Sequence, residues 1–314
     1  MPPIEQYIWT EKFRPSKIDD CILPDNIKTV AKSFVAQGDL PNMILSGGPG
    51  MGKTTLALAM CKELGIVPMF INGSEESGID VLRTKIKDFA SALGLDGKRR
   101  IIILDEADYL NPASTQPALR GLIEEMSINC GFILTCNYHN RIIPALHSRC
   151  TTLSYVIPPA EKKKLMVQTM ERLQFILKEE GVKADEPTLV AVVKRWWPDT
   201  RRIINEIQRA SIDGILQASV LGQHADVQFE PLFAALKARN YKDARVWIGQ
   251  NADIDPPKFY RTVFEWLHES VEPASLPALI ILMADYQFRH LNAIDTHVHL
   301  AALCIEIMHN ANWR

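Results

Sequence analysis

Short runs of apolar residues alternate with segments of helical length in the first half of the chain. Four such runs lie at residues 42–46 (NMILS), 68–72 (PMFIN), 101–105 (IIILD) and 132–136 (FILTC). The last two are apolar almost throughout, which is typical of strands that are covered on both faces. The pattern therefore predicts an α/β fold in which helices connect the strands of a parallel sheet.

Beyond Ile157 the strand pattern stops, and amphipathic helical patterns replace it. One long helical pattern ends at Gly181, and another helical stretch begins near residue 228 after a weakly patterned segment. We therefore predict an α/β domain followed by two helical domains, with bounds at 1–157, 158–227 and 228–314.

The composition is that of an ordinary globular protein, with 47% apolar and 23% charged residues. The 314 residues exceed the size at which a single hydrophobic core usually keeps growing, which agrees with several domains. No apolar run approaches the thickness of a bilayer, and the start of the chain lacks the pattern of a secretory signal. We expect a cytoplasmic protein that has no membrane partner.

Cysteine spacing and net charge exclude two further classes of protein. The six cysteines are scattered without a CxxC pair, so a zinc module is not expected. The formal net charge is −2, which is unlike a basic nucleic-acid-binding domain. Any contact with DNA must therefore be local and shared between subunits.

Residues 47–54 (GGPGMGKT) match the pattern G-x-x-x-x-G-K-[ST] between an apolar run and a helical segment. The glycines let backbone amides face a phosphate, and the positive end of the following helix points at the same anion. Lys53 would reach the β- and γ-phosphates of ATP, and the Thr54 hydroxyl would hold Mg²⁺. A glycine-rich turn with a chance Lys-Thr pair is the alternative, which the flanking elements disfavour. The candidate nucleotide-binding residues are Gly47, Gly48, Pro49, Gly50, Met51, Gly52, Lys53, Thr54 and Thr55.

Carboxylates and an amide follow the two most apolar strands. Asp105 is the candidate second ligand of Mg²⁺, and Glu106 could polarise the attacking water from the other side of the strand end. Helix capping is the alternative for Glu106 and Asp108, and it suits Asp108 better. Asn137 ends the next strand and could orient water or sense the γ-phosphate.

Two further strings resemble signatures of one family. Residues 9–15 (WTEKFRP) look like the W-x-E-K-[YF]-R-P opening, and residues 148–150 look like the S-R-C motif, of AAA+ sliding-clamp loader ATPases. This family includes replication factor C small subunits and their phage counterparts. The resemblance covers residues 4 to about 215. It implies a P-loop AAA+ domain with a parallel sheet, a small helical lid domain and an all-helical collar domain that holds a ring together.

The resemblance also implies roles for individual residues of the nucleotide site. Trp9 and Arg14 would lie on the adenine side, and Arg149 would enter the site of a neighbouring subunit as an arginine finger. Pairing with a surface carboxylate is the alternative for Arg149. Arg201 would contact the γ-phosphate from the lid, with Arg202 as the alternative. Pro198 stands where the family usually has Gly.

The segment SGIDVLRTK resembles the one by which clamp loaders follow a DNA strand. Ile79, Arg83 and Lys85 are the candidate DNA contacts, since cations and helix N-termini grip phosphates without a large net charge. A solvated helix face is the alternative. Leu93 and Leu95 would insert into the clamp, with packing in the core as the alternative.

Three polar residues match positions that couple DNA contact to hydrolysis in the family. Gln116 and Arg120 match the Q-x-A-L-R helix beside the subunit interface. Asn72 matches a residue that holds the catalytic glutamate inactive until a partner binds. A strand-ending asparagine before a turn is the alternative for Asn72.

Together these motifs predict an ATPase that opens the DNA polymerase processivity clamp and loads it on primer-template DNA during replication. The resemblance implies that four copies of this chain act together with a distinct small loader subunit, the sliding clamp and the DNA. If the chain is phage-encoded, this takes place in the host cytoplasm. The alternatives are another AAA+ DNA remodeller, such as a helicase loader or branch-migration motor, and a scaffold subunit that does not hydrolyse ATP.

Overall fold

The computed structural model describes residues 7–75, 78–91, 99–217, 228–251, 254–290 and 292–314. The chain divides into two compact units, Met1–Leu221 and Gly222–Arg314. Each unit is built around buried apolar side chains of its own.

A five-stranded parallel sheet forms the centre of the first unit, as the alternation of apolar runs and helical segments predicted. Its spatial order is β2-β3-β4-β1-β5. The strands are β1 (Met43–Ser46), β2 (Met69–Asn72), β3 (Arg100–Asp105), β4 (Cys130–Cys136) and β5 (Thr151–Ser154). Strand β5 pairs with β1 at the edge and has a single buried residue, Leu153, which is why its sequence gave no apolar run.

Side chains of the central strands alternate between two apolar layers, because successive residues of a strand point to opposite faces. Ile101 and Ile103 join the layer that contains residues of the helices Asp25–Gln37 and Lys53–Glu63. Ile102 and Leu104 join the layer that contains residues of the helices Ile79–Ser91 and Thr115–Glu125. Burial on both faces explains the nearly continuous apolar sequence of β3 and β4.

Helices surround this sheet and connect its strands. They are α1 (Trp9–Lys12), α2 (Asp25–Gln37), α3 (Lys53–Glu63), α4 (Ile79–Ser91), α5 (Thr115–Glu125) and α6 (Pro144–His147). Three short 3-10 helices occur at Ile18–Asp20, Ala107–Tyr109 and His139–Arg141. Parallel strands need crossover connections, and helices provide them here. For example, α4 precedes β3 in the chain and α5 follows it.

Three helices follow the sheet in the first unit, namely α7 (Pro159–Glu179), α8 (Glu186–Trp196) and α9 (Thr200–Ala210). They bury Leu173, Val192 and Ile203 in one cluster, which also takes up Trp9 from the start of the chain. A hairpin of β6 (Ser211–Ile212) and β7 (Ile215–Leu216) follows α9. The expectation of purely helical structure in this region was therefore incomplete, because a two-residue strand is too short to show an alternating pattern.

The second unit is helical in its described residues. Its helices are α10 (Glu230–Lys237), α11 (Tyr241–Gln250), α12 (Pro256–Ser270), α13 (Leu276–His290) and α14 (Thr296–Asn310). The side chains of Asn240, Asp255 and Asp295 accept hydrogen bonds from backbone amides of the first turn and so cap three of these helices. Leu232, Phe259 and Leu303 are among the side chains buried in its core.

None of the helices in the described ranges is long and apolar enough to cross a bilayer.

Candidate nucleotide site

A cavity opens where β1, β3 and β4 end, because the carboxyl ends of parallel strands share one edge of the sheet. The wall contains residues from the P-loop and α3, from the ends of β3 and β4, and from α7 and α9, which together with α8 are called the lid helices below. The lining residues that the sequence predicted for the site are Pro49, Gly50, Met51, Gly52, Lys53, Thr54, Thr55, Asp105, Glu106, Asn137, Arg14 and Arg201. The fold thus brings most of the predicted site together.

Two glycines of the P-loop are required by close contacts. Gly50 has a φ of 66°, and a Cβ atom there would lie 1.7 Å from Oδ1 of Asp199 in the lid region. A Cβ atom on Gly47 would lie 2.5 Å from Cβ of Tyr155. Neither position has room for a side chain, and a positive φ is readily available only to glycine.

The Lys53 ammonium is held at the first turn of α3 by three acceptors. It donates to the carbonyl oxygens of Gly47 (2.8 Å) and Gly48 (2.7 Å) and to Oδ1 of Asn137 (2.8 Å). These contacts satisfy all three N–H groups of the ammonium. Lys53 is only 8% exposed, and this burial, with a smaller effect of the Arg201 charge, lowers its pKa.

Three oxygen atoms meet beside Lys53 and tie α3 to β3 and β4. The hydroxyls of Thr54 and Thr135 each donate to Oδ1 of Asp105, at 2.6 Å in both cases. Thr135 is 2% exposed and also accepts from the backbone N–H of Glu106 at 3.1 Å. Sequence reasoning did not assign a role to Thr135, because a threonine inside an apolar strand resembles any other β-branched residue.

Glu106 lies at the end of β3 in a left-handed backbone conformation, with φ 54° and ψ 42°. A glutamate rarely adopts a positive φ, and such residues concentrate at functional sites, where the surrounding structure maintains the strain. The turn separates Glu106 from Asp105, so that both residues line the cavity. This is the arrangement expected if the two carboxylates have different roles.

The capping interpretation of Asp108 is wrong. Its buried carboxylate does not cap its own 3-10 helix but accepts from the backbone N–H groups of Asn137 (3.2 Å) and Tyr138 (3.0 Å). Asp108 therefore fixes the backbone that presents the Asn137 amide to Lys53. The correct partner lies at the end of another strand, which local sequence signals do not identify.

The two residues predicted on the adenine side occupy different surroundings. Arg14 lines the cavity, as do its neighbours Thr10, Phe13 and Pro15. Trp9 is only 7% exposed and packs in the apolar cluster of α7, α8 and α9, outside the set of described residues that line the cavity. Trp9 therefore supports the cavity wall from behind and does not contact the nucleotide directly.

The structure distinguishes the two arginines at the start of α9. Arg201 lines the cavity, near enough for its charge to affect the pKa of Lys53. The guanidinium carbon of Arg202 lies 3.4 Å from the ring centroid of Trp196. Because stacking on Trp196 occupies Arg202, Arg201 is the better candidate for a contact with phosphate.

Arg149 follows α6, and its contacts lie outside the described wall of the cavity. Its Nε donates to Oε1 of Glu124 at 2.6 Å, and its Nη1 donates to the carbonyl oxygen of Ala145 at 2.8 Å. The Arg149 guanidinium in turn lowers the pKa of Glu124 through a hydrogen bond. Within one chain Arg149 thus pairs with a surface carboxylate, and the role as a finger for a neighbouring subunit stays a prediction.

The predicted coupling residues differ in burial. Gln116 is fully buried, and its side chain donates to the carbonyl oxygens of Leu110 (3.0 Å) and Arg141 (2.9 Å) and accepts from the N–H of Ile143 (2.8 Å). It therefore joins α5 to the segments that follow β3 and β4. Arg120 is exposed, with its Nε 4.0 Å from Oε1 of Glu124.

Asn72 ends β2 opposite Asp105, and its side-chain oxygen accepts from the backbone N–H of Ser74 at 3.1 Å. This contact corresponds to the turn-forming alternative, and a contact with Glu106 stays a prediction.

Helix α4 carries the predicted DNA contacts. Ile79 is its first residue and is partly buried, whereas Arg83 and Lys85 are exposed. The predicted clamp contacts Leu93 and Leu95 lie outside the described residues. The surface of α4 thus presents two cations, and their role stays a prediction.

The oxygen atoms near Lys53 fit a magnesium ion. Thr54 and Asp105 supply a hydroxyl and a carboxylate 2.6 Å apart, which are the hard oxygen ligands that Mg²⁺ prefers. Across the described ranges there is no cluster of three or more His, Cys, Asp or Glu side chains that could hold a metal by themselves. A site of this kind suits Mg²⁺ bound together with phosphate oxygens.

Two family models match the first unit. Residues 43–157 match the ATPase family associated with various cellular activities (AAA), and residues 161–222 match the AAA+ ATPase lid domain of the sliding-clamp-loader large subunit. A solved structure of the Thermotoga maritima RuvB Holliday junction branch migration motor aligns with a TM-score of 0.52 and 18% identity, over 72% of this chain and 80% of that chain. At this identity the likeness shows the AAA+ fold alone.

Relatives align along nearly the whole chain. The sliding-clamp-loader large subunit of Enterobacteria phage T4 is 35% identical over 99% of this chain and 98% of its own length. That of Escherichia phage RB69 is 33% identical over the same shares. The replication factor C small subunit of Archaeoglobus fulgidus is 37% identical over 76% of each chain. The chain therefore belongs to the AAA+ ATPases and, among them, to the family of sliding-clamp-loader large subunits.

Proposed function

We propose that this chain is the ATP-hydrolysing subunit of a sliding-clamp loader and that it opens the clamp and loads it on primer-template DNA. The observation that carries the proposal is a group of two hydrogen-bonded pairs, Lys53 with Asn137 and Thr54 with Asp105, which join the start of α3 to the ends of β4 and β3. A scaffold subunit that does not hydrolyse ATP would have no need for this group. The full-length relatedness to phage clamp-loader large subunits supports the same reading.

ATP binds with its phosphates at the N-terminus of α3. The backbone amides of the P-loop and the Lys53 ammonium face the β- and γ-phosphates, and a phosphate oxygen takes the place of one of the acceptors that Lys53 has in the free chain. Thr54 and Asp105 would hold Mg²⁺, which would neutralise negative charge on the phosphates. Thr135 keeps the Asp105 carboxylate in place through its hydroxyl.

Hydrolysis requires a base and donors around the γ-phosphate. Glu106 accepts a proton from the attacking water as the water oxygen bonds to the γ-phosphorus and the bond to ADP breaks. Asn137 and Arg201 hold the γ-phosphate and the water in line within the chain. Arg149 of a neighbouring copy exchanges its pairing with Glu124 for the charge that develops on the transferred group.

Binding of DNA and clamp controls this step through residues that surround the site. Arg83 and Lys85 contact DNA phosphates, and Leu93 and Leu95 contact the clamp. The buried Gln116 joins α5 to the segments after β3 and β4, so a shift of α5 on DNA binding is passed towards Glu106. Asn72 and Arg120 belong to the same coupling path.

The assembly that performs this work contains several copies of this chain, proposed to be four, together with a distinct small loader subunit, the clamp and primer-template DNA. ATP closes the assembly on the clamp, DNA triggers hydrolysis, and hydrolysis releases the loaded clamp.

Steady-state ATPase activity of the chain with its partner subunit tests this proposal. We expect clamp and primer-template DNA together to stimulate the activity more than the sum of their separate effects. An ATPase that responds to DNA but is indifferent to the clamp would instead indicate another AAA+ remodeller. Inactivity with every combination of clamp and DNA would favour a scaffold subunit.

A further inference from the structure

The N-terminal segment, residues 7–15, is fastened to the lid helices as well as forming a wall of the nucleotide cavity. The backbone N–H of Trp9 donates to Oε1 of Gln208 (3.0 Å), and Nε2 of Gln208 donates to the carbonyl oxygen of Tyr7 (2.6 Å). Lys12 pairs with Glu180 just after α7, at 2.6 Å. The segment is therefore attached to α9 just before the residues that line the cavity, and next to the end of α7 in the middle of them.

Arg172 makes a further contact with the N-terminal segment, and it also lines the cavity. It is in the middle of α7 and donates from Nη2 to the carbonyl oxygen of Phe13. Its guanidinium carbon lies 5.2 Å from the ring centroid of Phe175, whose ring also meets Phe13 edge to face at 6.2 Å. The guanidinium is thus fixed by a hydrogen bond on one side and an aromatic ring on another.

The Arg172 side chain is half-buried in the cavity wall. Burial lowers its pKa, while Asp20 acts in the opposite direction. Desolvating a guanidinium costs free energy, which must be offset by contacts that it makes when buried. Its hydrogen bond to Phe13 and its contact with the Phe175 ring are two such contacts.

The position of Arg172 relates it to the nucleobase. Lys53 and Thr54 line the same cavity as Phe13, Arg14 and Arg172. A nucleotide whose phosphates occupy the P-loop leaves Phe13 and Arg172 as wall residues for the rest of the molecule, which includes its base. Contacts at this end can therefore change affinity for a nucleotide that has a base without changing the contacts to its phosphates.

We propose that Arg172 is the positioning residue for the base: by holding the Phe13 backbone against α7, it fixes the wall on which the base packs and ties base binding to the lid. This inference rests on the proposed ATP site and deepens it. The planar guanidinium suits the role because it can donate in its plane while its face lies on Phe175, which an ammonium group does less well.

Binding of ATP and of inorganic tripolyphosphate to the full-length chain tests this role. The second probe has the phosphates but no base. We expect Arg172→Met to weaken ATP binding about tenfold or more, as for loss of one hydrogen bond to a charged group, and to leave tripolyphosphate binding within about twofold. Arg172→Lys should recover part of the loss, since it keeps a charged donor. Lys178→Met, at an exposed position of the same helix, is the matched control and should bind both probes normally.

The ratio of the two affinities decides the outcome. A ratio that falls in Arg172→Met, recovers in part in Arg172→Lys and is unchanged in the control supports the proposal. Equal weakening of both probes in both Arg172 variants would show a general effect on folding or on the P-loop and would overturn it. An unchanged ratio in both variants would overturn it as well.

Failure of the wider proposal looks different. A wild-type chain that binds neither probe would reject the nucleotide site itself. ATPase activity that is indifferent to the clamp would reject clamp loading but leave the effect of Arg172 on base binding intact.

Discussion

The phosphate end of the cavity and the segment of residues 148–150 differ in how much of their chemistry a single chain supplies. At the phosphate end, Lys53, Thr54 and Asp105 are joined to their partners by hydrogen bonds of 2.6–2.8 Å within the chain. Arg149 instead pairs with Glu124 of its own chain. We therefore propose that one chain holds the residues that bind a nucleotide, whereas fast hydrolysis needs Arg149 from a neighbouring copy.

The two regions also differ in how readily their contacts can be exchanged. Lys53 is only 8% exposed, so loss of a partner would leave a buried charge unsatisfied. The side chains of Arg149 and Glu124 are 27% and 51% exposed, and an exposed ion pair of this kind contributes little to stability. Buried contacts therefore hold the predicted nucleotide-binding residues in place, whereas Arg149 can leave Glu124 at a small cost in free energy.

The largest effect is expected from Arg149→Ala in the assembled loader. Loss of an arginine finger lowers kcat by about 10³- to 10⁵-fold, because the charge on the transferred phosphoryl group is no longer stabilised. Nucleotide affinity of the isolated chain should stay the same, since Arg149 lies outside its cavity wall. ATPase assays and nucleotide titrations measure the two quantities, with Arg209→Ala as a control at an exposed arginine. Equal loss of nucleotide affinity would contradict the comparison.

Glu106→Gln should have the next largest effect. Removal of the general base lowers kcat by about 10²- to 10⁴-fold, while ATP binding is retained because Glu106 does not hold the phosphates. Single-turnover hydrolysis and ATP titration check both parts, with exposed Glu179→Gln as the control. A variant that hydrolyses ATP at the normal rate would show that another residue acts as the base.

Thr135→Val should act through Asp105. The substitution keeps the shape of the side chain and removes a hydroxyl that donates to Asp105 Oδ1 at 2.6 Å. We expect ATPase activity to fall about tenfold at limiting Mg²⁺, as for loss of a hydrogen bond to a charged group, and to recover in part as Mg²⁺ is raised. A Mg²⁺ titration measures this, with exposed Thr152→Val as the control. The role of Thr135 would be rejected if the Mg²⁺ dependence did not change.

Glu124→Gln should have the smallest effect and the opposite sign. It removes the carboxylate that competes for Arg149, so activity of the assembled loader should rise by at most about fivefold, as expected when an exposed ion pair is lost. Nucleotide affinity of the isolated chain should not change. A large drop in activity would mean that Glu124 holds Arg149 in its working position rather than in a resting one.

Much of the nucleotide site could be predicted from the sequence because its residues follow local rules. The P-loop has a fixed spacing, and Asp105, Glu106 and Asn137 each end an apolar strand, so a parallel sheet brings them to one edge. Strands β1 to β4 were predicted for the same reason. Strand β5 was missed because only Leu153 of its residues is buried.

Residues whose partners are far away in the sequence could not be predicted. Asp108 resembles a helix cap, yet it binds the backbone of Asn137, 29 positions later. Trp9 stands in a motif associated with the adenine side, yet it packs among helices about 160 to 200 residues away. Arg172 lies in an amphipathic helix without any motif, and only the folded chain brings it to Phe13. Long-range packing decides such contacts, and periodicity does not report it.

The most direct test of the account is a mixing experiment with two inactive variants, Arg149→Ala and Glu106→Gln. An Arg149→Ala subunit keeps its own Glu106, and a Glu106→Gln subunit keeps an Arg149 to offer to its neighbour. If Arg149 acts on the neighbouring site, loaders assembled from both variants should regain a clear fraction of the clamp- and DNA-stimulated ATPase activity that neither variant has alone. If the mixed loaders remain as inactive as the separate variants at every ratio, Arg149 does not act between subunits and the account is contradicted.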